Sequence, residues 1–332
     1  MTNAFGSTLS PSAALLVLLP NQIAYEPFGY TPGANLAGQV NANGQSWSSV
    51  GPSSATRPGI AATNLSVPGL APATGQAIQF GGNGTSARFN LGAKATNGTI
   101  YFSMTINIAD LSGLTSNGVF WAAFNNSTGS QSTTPTNVAI RVVTRAAGDG
   151  FNLGLDKSFG TVQTIFAPQV FTTTDIIFLV GSYTFNPASG DDVAQLWINP
   201  PPATLGQDSP PPATLTNSSG ADVLQIVSFV LFDRSSAEPA TMLADELRVG
   251  WTWASVTPPG PFNPSLAIAQ QSGSVILSWD TNYAGFALEQ AVGLAPTNLW
   301  GIVPPPSYIF GGRYFVTNSI NSGPVFFRLR KQ

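Results

Sequence analysis

The sequence contains neither cysteine nor histidine among its 332 residues. Their absence excludes disulfides, thiolate metal sites, cysteine nucleophiles, Ser-His-Asp triads and histidine-bound zinc. Any catalysis would therefore depend on carboxylate, tyrosine, lysine or arginine side chains.

Charged residues are scarce as well. They make up 8% of the chain, with a net charge of −3, whereas soluble domains typically contain about 25%. A surface covered by Ser, Thr, Asn, Gln and Gly is typical of secreted proteins. We therefore expect an extracellular or cell-surface location, with the export signal outside this sequence. No cluster of Lys and Arg occurs, so we expect no nucleic-acid partner and favour a neutral ligand over a polyanion.

Long apolar runs are also missing. None approaches the roughly 20 residues of a membrane helix, so no membrane span is predicted. The run "AALLVLLP" at residues 13–20 has no basic residue before it and no small-residue cleavage site, which favours a β-strand over a signal peptide. We expect the segment Ala13–Leu19 to pair with a sheet edge of this chain or of a neighbouring chain, which would give self-association.

Short β-rich runs separated by Gly, Pro, Asn and Ser fill the rest of the chain. In "TIYFSMTINI" at 99–108, apolar residues alternate with polar ones, as in a strand buried on one face. The pattern predicts an all-β protein built of β-sandwiches. We divide it into a prefix (1–20), a main sandwich (21–258), a proline-rich linker (259–264) and a small second sandwich (265–332).

Several stretches resemble modules of large secreted proteins of Verrucomicrobia and Planctomycetes. "AYEPFGYTPGANLAGQ", "GSYTFNPASGDDVAQLWINP" and "DELRVGWTWASVTP" resemble the opening, central hairpin and closing strand of their concanavalin-like, laminin-G-like jelly rolls. "GSVILSWDTNYAGFALEQ" resembles their fibronectin-III-like C-terminal module. "TNAFGSTLSPSAALLVLLP" resembles the last strands of an immunoglobulin-like domain, which implies that residues 1–20 are the remnant of an upstream domain. The resemblance implies an architecture but no activity.

The stretch "LADELRVGWTW" contains two adjacent acids. Strand periodicity places Leu243, Asp245 and Leu247 on one face and Glu246 and Arg248 on the other, so the two acids are a poor catalytic pair. Glu246 and Arg248 are expected to be ion-pair partners. Asp245, on the apolar face, should cap loop amides, bind calcium or act in catalysis.

Two further acids, Asp191 and Asp192, follow the turn residues "NPASG". They are predicted to be turn residues, or calcium ligands together with loop carbonyls. Asp191, Asp192 and Asp245 are therefore the candidate metal ligands. The expected cofactor is one structural calcium ion or none.

Aromatic residues suggest a way to bind sugars, because a flat ring covers the apolar C–H face of a sugar while polar neighbours bind its hydroxyl groups. Core packing is the favoured interpretation for any single Trp. The candidate ligand contacts are Trp47, Trp121 and Trp253, of which Trp47 and Trp253 are expected to be the more exposed.

Three functions remain open. The first is a non-catalytic extracellular carbohydrate-binding or adhesion module for a neutral polysaccharide or cell-surface glycan. The second is a structural surface or filament subunit that assembles by β-strand addition. The third is a glycoside hydrolase that uses two carboxylates from different strands, with the candidates Glu26, Asp110, Asp156, Asp191, Asp245 and Glu246.

Overall fold

The computed structural model describes residues 18–41, 43–51, 58–133, 135–159, 163–233, 235–260, 266–271, 273–280, 286–294, 299–304, 308–310, 313–319 and 323–331. Most of the segment Ala13–Leu19 and most of the linker 259–264 lie outside these residues. Self-association through that segment stays a prediction.

The larger of two compact units extends to Thr257. Its strands, in chain order, are β1 (Gln22–Glu26), β2 (Trp47–Val50), β3 (Gly59–Ile60), β4 (Ile78–Phe80), β5 (Ser86–Ala95), β6 (Gly98–Asp110), β7 (Val119–Asn125), β8 (Val138–Ala147), β9 (Gly150–Ser158), β10 (Ile165–Phe166), β11 (Ile177–Phe185), β12 (Val193–Ile198), β13 (Leu215–Asn217), β14 (Ile226–Leu231) and β15 (Thr241–Gly250).

These strands form two antiparallel sheets. An eight-stranded sheet has the order β13-β12-β11-β6-β15-β4-β3, with β1 also paired to β15, and a seven-stranded sheet has the order β10-β9-β8-β7-β14-β5-β2. The apolar residues of β6 (Ile100, Phe102, Met104, Ile106 and Ile108) all lie in the shared core, as their alternation predicts. The prediction of an all-β jelly-roll sandwich is confirmed.

Strand β15 departs from the predicted alternation. Asp245 pairs with Thr105 and Arg248 pairs with Ser103, so β15 contains one extra residue, and Glu246 has a φ of 57°. This β-bulge shifts the alternation of side chains between the two faces of the sheet. Ala244 and Leu247 both lie in the core, whereas Asp245 lies on the opposite face. The placement of Asp245 on the apolar face was therefore wrong, because period-two reasoning cannot detect an inserted residue.

The helices are short. A 3₁₀ helix spans Pro202–Thr204 and helix α1 spans Trp253–Val256. Thr252 and Ser255 form a capping box at the start of α1, which ends the extended backbone before Trp253. Within the described residues, no helix has the length and hydropathy needed to cross a membrane.

The smaller unit contains the C-terminal strands. They are β16 (Ala267–Gln271), β17 (Ser274–Asp280), β18 (Phe286–Ala291), β19 (Gly301–Ile302), β20 (Tyr308–Phe310), β21 (Arg313–Ser319) and β22 (Phe326–Lys331). A four-stranded sheet (β16-β17-β21-β20) and a three-stranded sheet (β19-β18-β22) contribute to a core of Leu277, Trp279, Leu288, Val303 and Val316. Its likeness to fibronectin III stays a prediction.

Candidate functional site

An open cleft lies at one end of the eight-stranded sheet. Strand β15 ends at Gly250, and the next residue, Trp251, donates its backbone N–H to the carbonyl of Asn21 at 2.9 Å. The turn between β5 and β6 lies beside it, with Gly98 in the left-handed region at φ 64°. The cleft has a volume of about 440 Å³ and is lined by Lys94, Ala95, Thr96, Asn97, Gly98, Thr99 and Trp251.

Trp251 is 37% exposed in this cleft. The cleft therefore offers an accessible indole ring together with hydroxyl, amide and ammonium groups. Lys94 is exposed, and no described residue forms an ion pair with it. Trp251 was not among the candidates, because the predicted strand continued through Trp253. The capping-box pattern Thr252–Ser255 was the signal that could have placed the strand end at Gly250.

Trp47 was expected to be exposed in a polar loop, and this was wrong. It begins β2, pairs with Phe89 and is 2% exposed. Its indole N–H donates to Glu26 Oε2 at 2.9 Å. The same carboxylate accepts the Tyr30 hydroxyl at 2.7 Å and the Phe28 N–H at 2.8 Å. Burial raises the pKa of Glu26, and these three donors oppose that effect.

The other two candidate tryptophans are also buried. Trp253 was expected to be exposed, but it is 1% exposed because it lies in α1, where its ring packs 5.2 Å from that of Trp197. Trp121 is 1% exposed, and its indole N–H donates to Thr144 Oγ1 at 2.8 Å. None of the three selected rings is an open stacking surface.

Three carboxylates meet near the turn between β11 and β12. Asp191, Asp192 and Asp222 each place an oxygen within 4.8 Å of the others. Both oxygens of Asp192 accept hydrogen bonds at 2.7 Å, from the Tyr183 hydroxyl and the Asn186 N–H. Asp191 Oδ1 is buried without a hydrogen-bond partner among the described residues.

Asp222 connects this turn to the core. Lys157 follows core residues of β9 and is fully buried, and its ammonium group donates to Asp222 Oδ1 at 2.7 Å. Burial raises the pKa of Asp222, but Lys157 and the N–H groups of Gly190 and Asp192 outweigh it, so this pKa lies below its usual value. Three acids and one ammonium leave two negative charges, which a divalent cation could neutralise. Asp222 was not predicted as a member of this cluster, because it lies far from Asp191 and Asp192 in the sequence.

Asp245 lies apart from this carboxylate cluster. Its Oδ2 accepts the N–H of Leu65 at 2.8 Å and its Oδ1 accepts the N–H of Glu246 at 2.7 Å. Burial raises its pKa to about 7. The bond from Leu65 is the loop-amide contact that the first interpretation of Asp245 expected.

Glu246 is enclosed by polar contacts. Its carboxylate accepts the Tyr25 hydroxyl at 2.9 Å, the Thr74 N–H at 3.0 Å and a guanidinium N–H of Arg248. The bulge places Glu246 where it can reach all three partners. Its role in the structure is to join β1, β15 and the loop at Thr74.

The remaining hydrolase candidates are separate from the cleft. Asp156 forms an ion pair with Arg141 at 2.7 Å, and Asp110 is exposed and accepts the Ser112 N–H at 2.8 Å. None of the six candidate acids lines the Trp251 cleft. The hydrolase alternative stays a prediction.

Known proteins resemble this chain only distantly. No protein-family model matches it, and no curated protein does. Among solved structures, domain 4 of AbnA, a GH43 extracellular arabinanase from Geobacillus stearothermophilus, in complex with arabinotriose, is 13% identical with a TM-score of 0.37, over 63% of this chain and 84% of that one. The carbohydrate recognition domain of Emp47p is 10% identical with a TM-score of 0.33, over 66% and 94%. A SAP-like pentraxin from Limulus polyphemus is 13% identical with a TM-score of 0.32, over 59% and 77%.

Identities and TM-scores this low carry no argument about function. The function is therefore inferred from this chain's own residues.

Proposed function

We propose that this protein is a non-catalytic carbohydrate-binding module that acts outside the cell, and that Trp251 contacts the sugar. The observation that carries the proposal is the exposed indole of Trp251 in a cleft lined otherwise by Thr, Asn, Gly, Ala and one Lys. A sugar ring has apolar C–H faces and a rim of hydroxyl groups, which matches an indole ring beside hydroxyl and amide side chains.

The buried state of the other candidates sharpens this proposal. Trp47, Trp121 and Trp253 would have to leave the core to reach a ligand, whereas Trp251 needs no rearrangement. A single ring with a few polar contacts supports a weak site, with a dissociation constant in the range of about 10 μM to 1 mM.

Binding to a panel of soluble neutral polysaccharides tests the proposal. We expect retention in affinity electrophoresis without any release of reducing sugar. Trp251→Ala should weaken retention at least about tenfold, because it removes the stacking surface. Val170→Ala, which changes another exposed apolar residue, is the matched control and should bind like the unmodified protein. Equal retention of the Trp251→Ala variant, or sugar release, would refute the proposal.

We also propose that Asp191, Asp192 and Asp222 hold a structural calcium ion. Oxygen-only ligands suit a hard cation, and the buried, unpartnered Oδ1 of Asp191 is the group that such an ion would satisfy. The ion would fix the turn between β11 and β12. Asp245 is not one of these ligands, because it lies apart from the three carboxylates that meet at this turn.

A further inference from the structure

The two sheets of the larger unit differ in charge. The seven-stranded sheet contains the basic residues Arg88, Lys94, Arg141, Arg145 and Lys157, and its strands contain one acid, Asp156. The eight-stranded sheet contains one basic residue, Arg248, and four acids, Glu26, Asp110, Asp245 and Glu246. One sheet is therefore locally basic, although the net charge of the whole chain is −3.

Arg141 and Arg145 lie on the outer face of this basic sheet. Val142 of β8 and Leu155 of β9 belong to the core, so the alternating residues Arg141, Arg145 and Asp156 point away from it. Asp156 neutralises Arg141 by the ion pair at 2.7 Å, and the Arg141 guanidinium also lies 4.9 Å from the centre of the Phe120 ring.

Arg145 has no such counter-charge. Its guanidinium lies 3.9 Å from the centre of the Phe166 ring, and no described residue gives it an ion pair or a hydrogen bond. Stacking on a ring orients the planar guanidinium without using its N–H donors. Arg145 is half-buried, so these donors form a fixed, partly accessible fork.

Two glycines make room for this stack. A Cβ at Gly154 would lie 2.6 Å from the Phe166 ring, and one at Gly118 would lie 3.2 Å from the tip of that ring and 3.1 Å from Val143. The ring can lie across β9 toward Gly118 because both positions lack a side chain. The backbone does not require glycine at Gly154, whose φ is not positive, whereas Gly118 has a φ of 83° that favours glycine by itself.

Arg88 adds to the positive electrostatic potential of the same sheet. It is fully buried, and its guanidinium donates to Gln131 Oε1 at 2.7 Å and to Ser127 Oγ at 3.3 Å, both of which are neutral groups. No described residue forms an ion pair with Arg88, so its positive charge lies unpaired among them in a medium of low dielectric constant, where it acts over a longer distance than an exposed charge does. With Arg145, it leaves this sheet attractive to anions.

We propose that the outer face around Arg145 and Phe166 binds the carboxylate groups of an acidic polysaccharide. This inference rests on the proposed carbohydrate-binding function and deepens it by naming a substrate class. The fork of Arg145 matches a carboxylate in geometry and charge.

Polygalacturonate and its fully methyl-esterified form provide matched probes, because they share a backbone and differ in charge. We expect the unmodified protein to bind polygalacturonate at least tenfold more tightly, with an affinity that falls as salt rises. Arg145→Gln should bind polygalacturonate about tenfold more weakly than the unmodified protein does. Arg145→Lys keeps the charge but lacks the planar guanidinium, so its affinity should lie between those of Arg145→Gln and the unmodified protein. Arg330→Gln makes the same charge change at an exposed residue elsewhere and should bind like the unmodified protein.

Each contrary result overturns the inference. These results are equal binding of the ester, unchanged binding by Arg145→Gln, and an equal loss in Arg330→Gln, which would indicate a nonspecific charge effect. Melting temperatures of the variants check folding, and Arg145→Lys keeps the test informative if Arg145→Gln unfolds. If Trp251→Ala abolishes neutral-polysaccharide binding while Arg145→Gln keeps full polygalacturonate binding, the inference fails and the proposed function stands. Failure to bind any polysaccharide would refute both the inference and the proposed function.

Discussion

Arg248 and Glu246 lie two residues apart in β15 and form an ion pair whose side chains are only 7% and 5% exposed. The guanidinium of Arg248 also lies 4.4 Å from the centre of the Tyr25 ring, and the Tyr25 hydroxyl donates to Glu246. Burial, followed by the charge of Glu246, raises the pKa of Tyr25 to about 12, whereas Thr74 and Arg248 act in the opposite direction. The first and last strands of the jelly roll are thereby held together by a buried polar network.

Removing one member of this pair should be costly. Arg248→Met keeps the apolar stem but leaves the Glu246 charge buried, so we expect a loss of about 3–5 kcal/mol in the free energy of unfolding, measured by urea denaturation. The double variant Glu246→Gln with Arg248→Met should recover part of it, because no unpaired charge remains. Arg330→Met should cost less than about 1 kcal/mol, because Arg330 is 63% exposed and its buried partner Glu289 keeps an ion pair with Arg328 at 2.7 Å. Equal losses at Arg248 and Arg330 would contradict the buried-pair description.

Glu26 should act as an anchor for the chain around Trp47. Glu26→Gln keeps the shape of the side chain but turns one acceptor into a donor that faces the donors Trp47, Tyr30 and Phe28. We expect a loss of about 1–3 kcal/mol in the free energy of unfolding, together with a change in tryptophan fluorescence. Asp110→Asn, at an exposed acid, is the control and should leave both unchanged. Unchanged fluorescence in Glu26→Gln would show that Trp47 does not depend on this contact.

Stability should rise as the pH falls from about 8 to about 5. Burial raises the pKa of Asp245 and that of Asp233 to about 7, above their usual value near 4, so the folded state binds protons that the unfolded state does not. Each group contributes a loss of up to about 4 kcal/mol as the pH rises from 4 through 7. Glu246 and Arg248 face Asp245 and act on it in opposite directions.

Melting temperatures recorded at several pH values test this expectation. Asp233→Asn should flatten the profile between pH 5 and 8, because it removes one of the groups whose pKa is raised. Asp175→Asn, at a partly buried loop acid, should keep the original slope. A melting temperature that rises with pH over this range in the unmodified protein would show that other groups dominate.

How far the sequence predicts this structure depends on how local each signal is. The core face of β6 follows from alternation alone, because neighbouring residues of a strand point to opposite sides. The face of Asp245 does not, since one inserted residue at Glu246 reverses the alternation after it. Trp47 looked exposed because its neighbours are polar, but those neighbours belong to a strand whose other face is the core. Composition around a residue does not show which face it occupies.

Contacts between distant segments were beyond the reach of sequence patterns. Asp191 and Asp192 were recognisable as a turn, whereas Asp222 joins them only because β12 and β13 pair side by side. Lys157 looks like an ordinary strand residue, and only the packed structure shows that its ammonium group reaches Asp222. The basic sheet was hidden for the same reason, because its arginines come from different strands and the net charge averages over both sheets.

Calcium should stabilise the protein through Asp191, Asp192 and Asp222. At a concentration one hundred times the dissociation constant, an ion that binds only the folded state adds about 2.7 kcal/mol to the free energy of unfolding. For a unit of this size, that corresponds to a rise of roughly 5–10 °C in melting temperature, which a chelator should reverse. Magnesium should give a smaller rise, because it requires stricter octahedral geometry and gives up its water reluctantly.

Variants at the carboxylate cluster decide whether the calcium effect arises there. Asp191→Asn should abolish the calcium-dependent rise with little change in the melting temperature of the metal-free protein, because Asp191 Oδ1 has no hydrogen-bond partner to lose. Asp222→Asn should lower both the calcium-dependent rise and the melting temperature of the metal-free protein, since it also leaves the buried Lys157 without its counter-charge. Asp110→Asn removes an equal charge elsewhere and should keep the full rise. If Asp191→Asn responds to calcium as strongly as Asp110→Asn does, the ion binds at another place, and the turn between β11 and β12 is held by Lys157 and by the hydrogen bonds to Asp192.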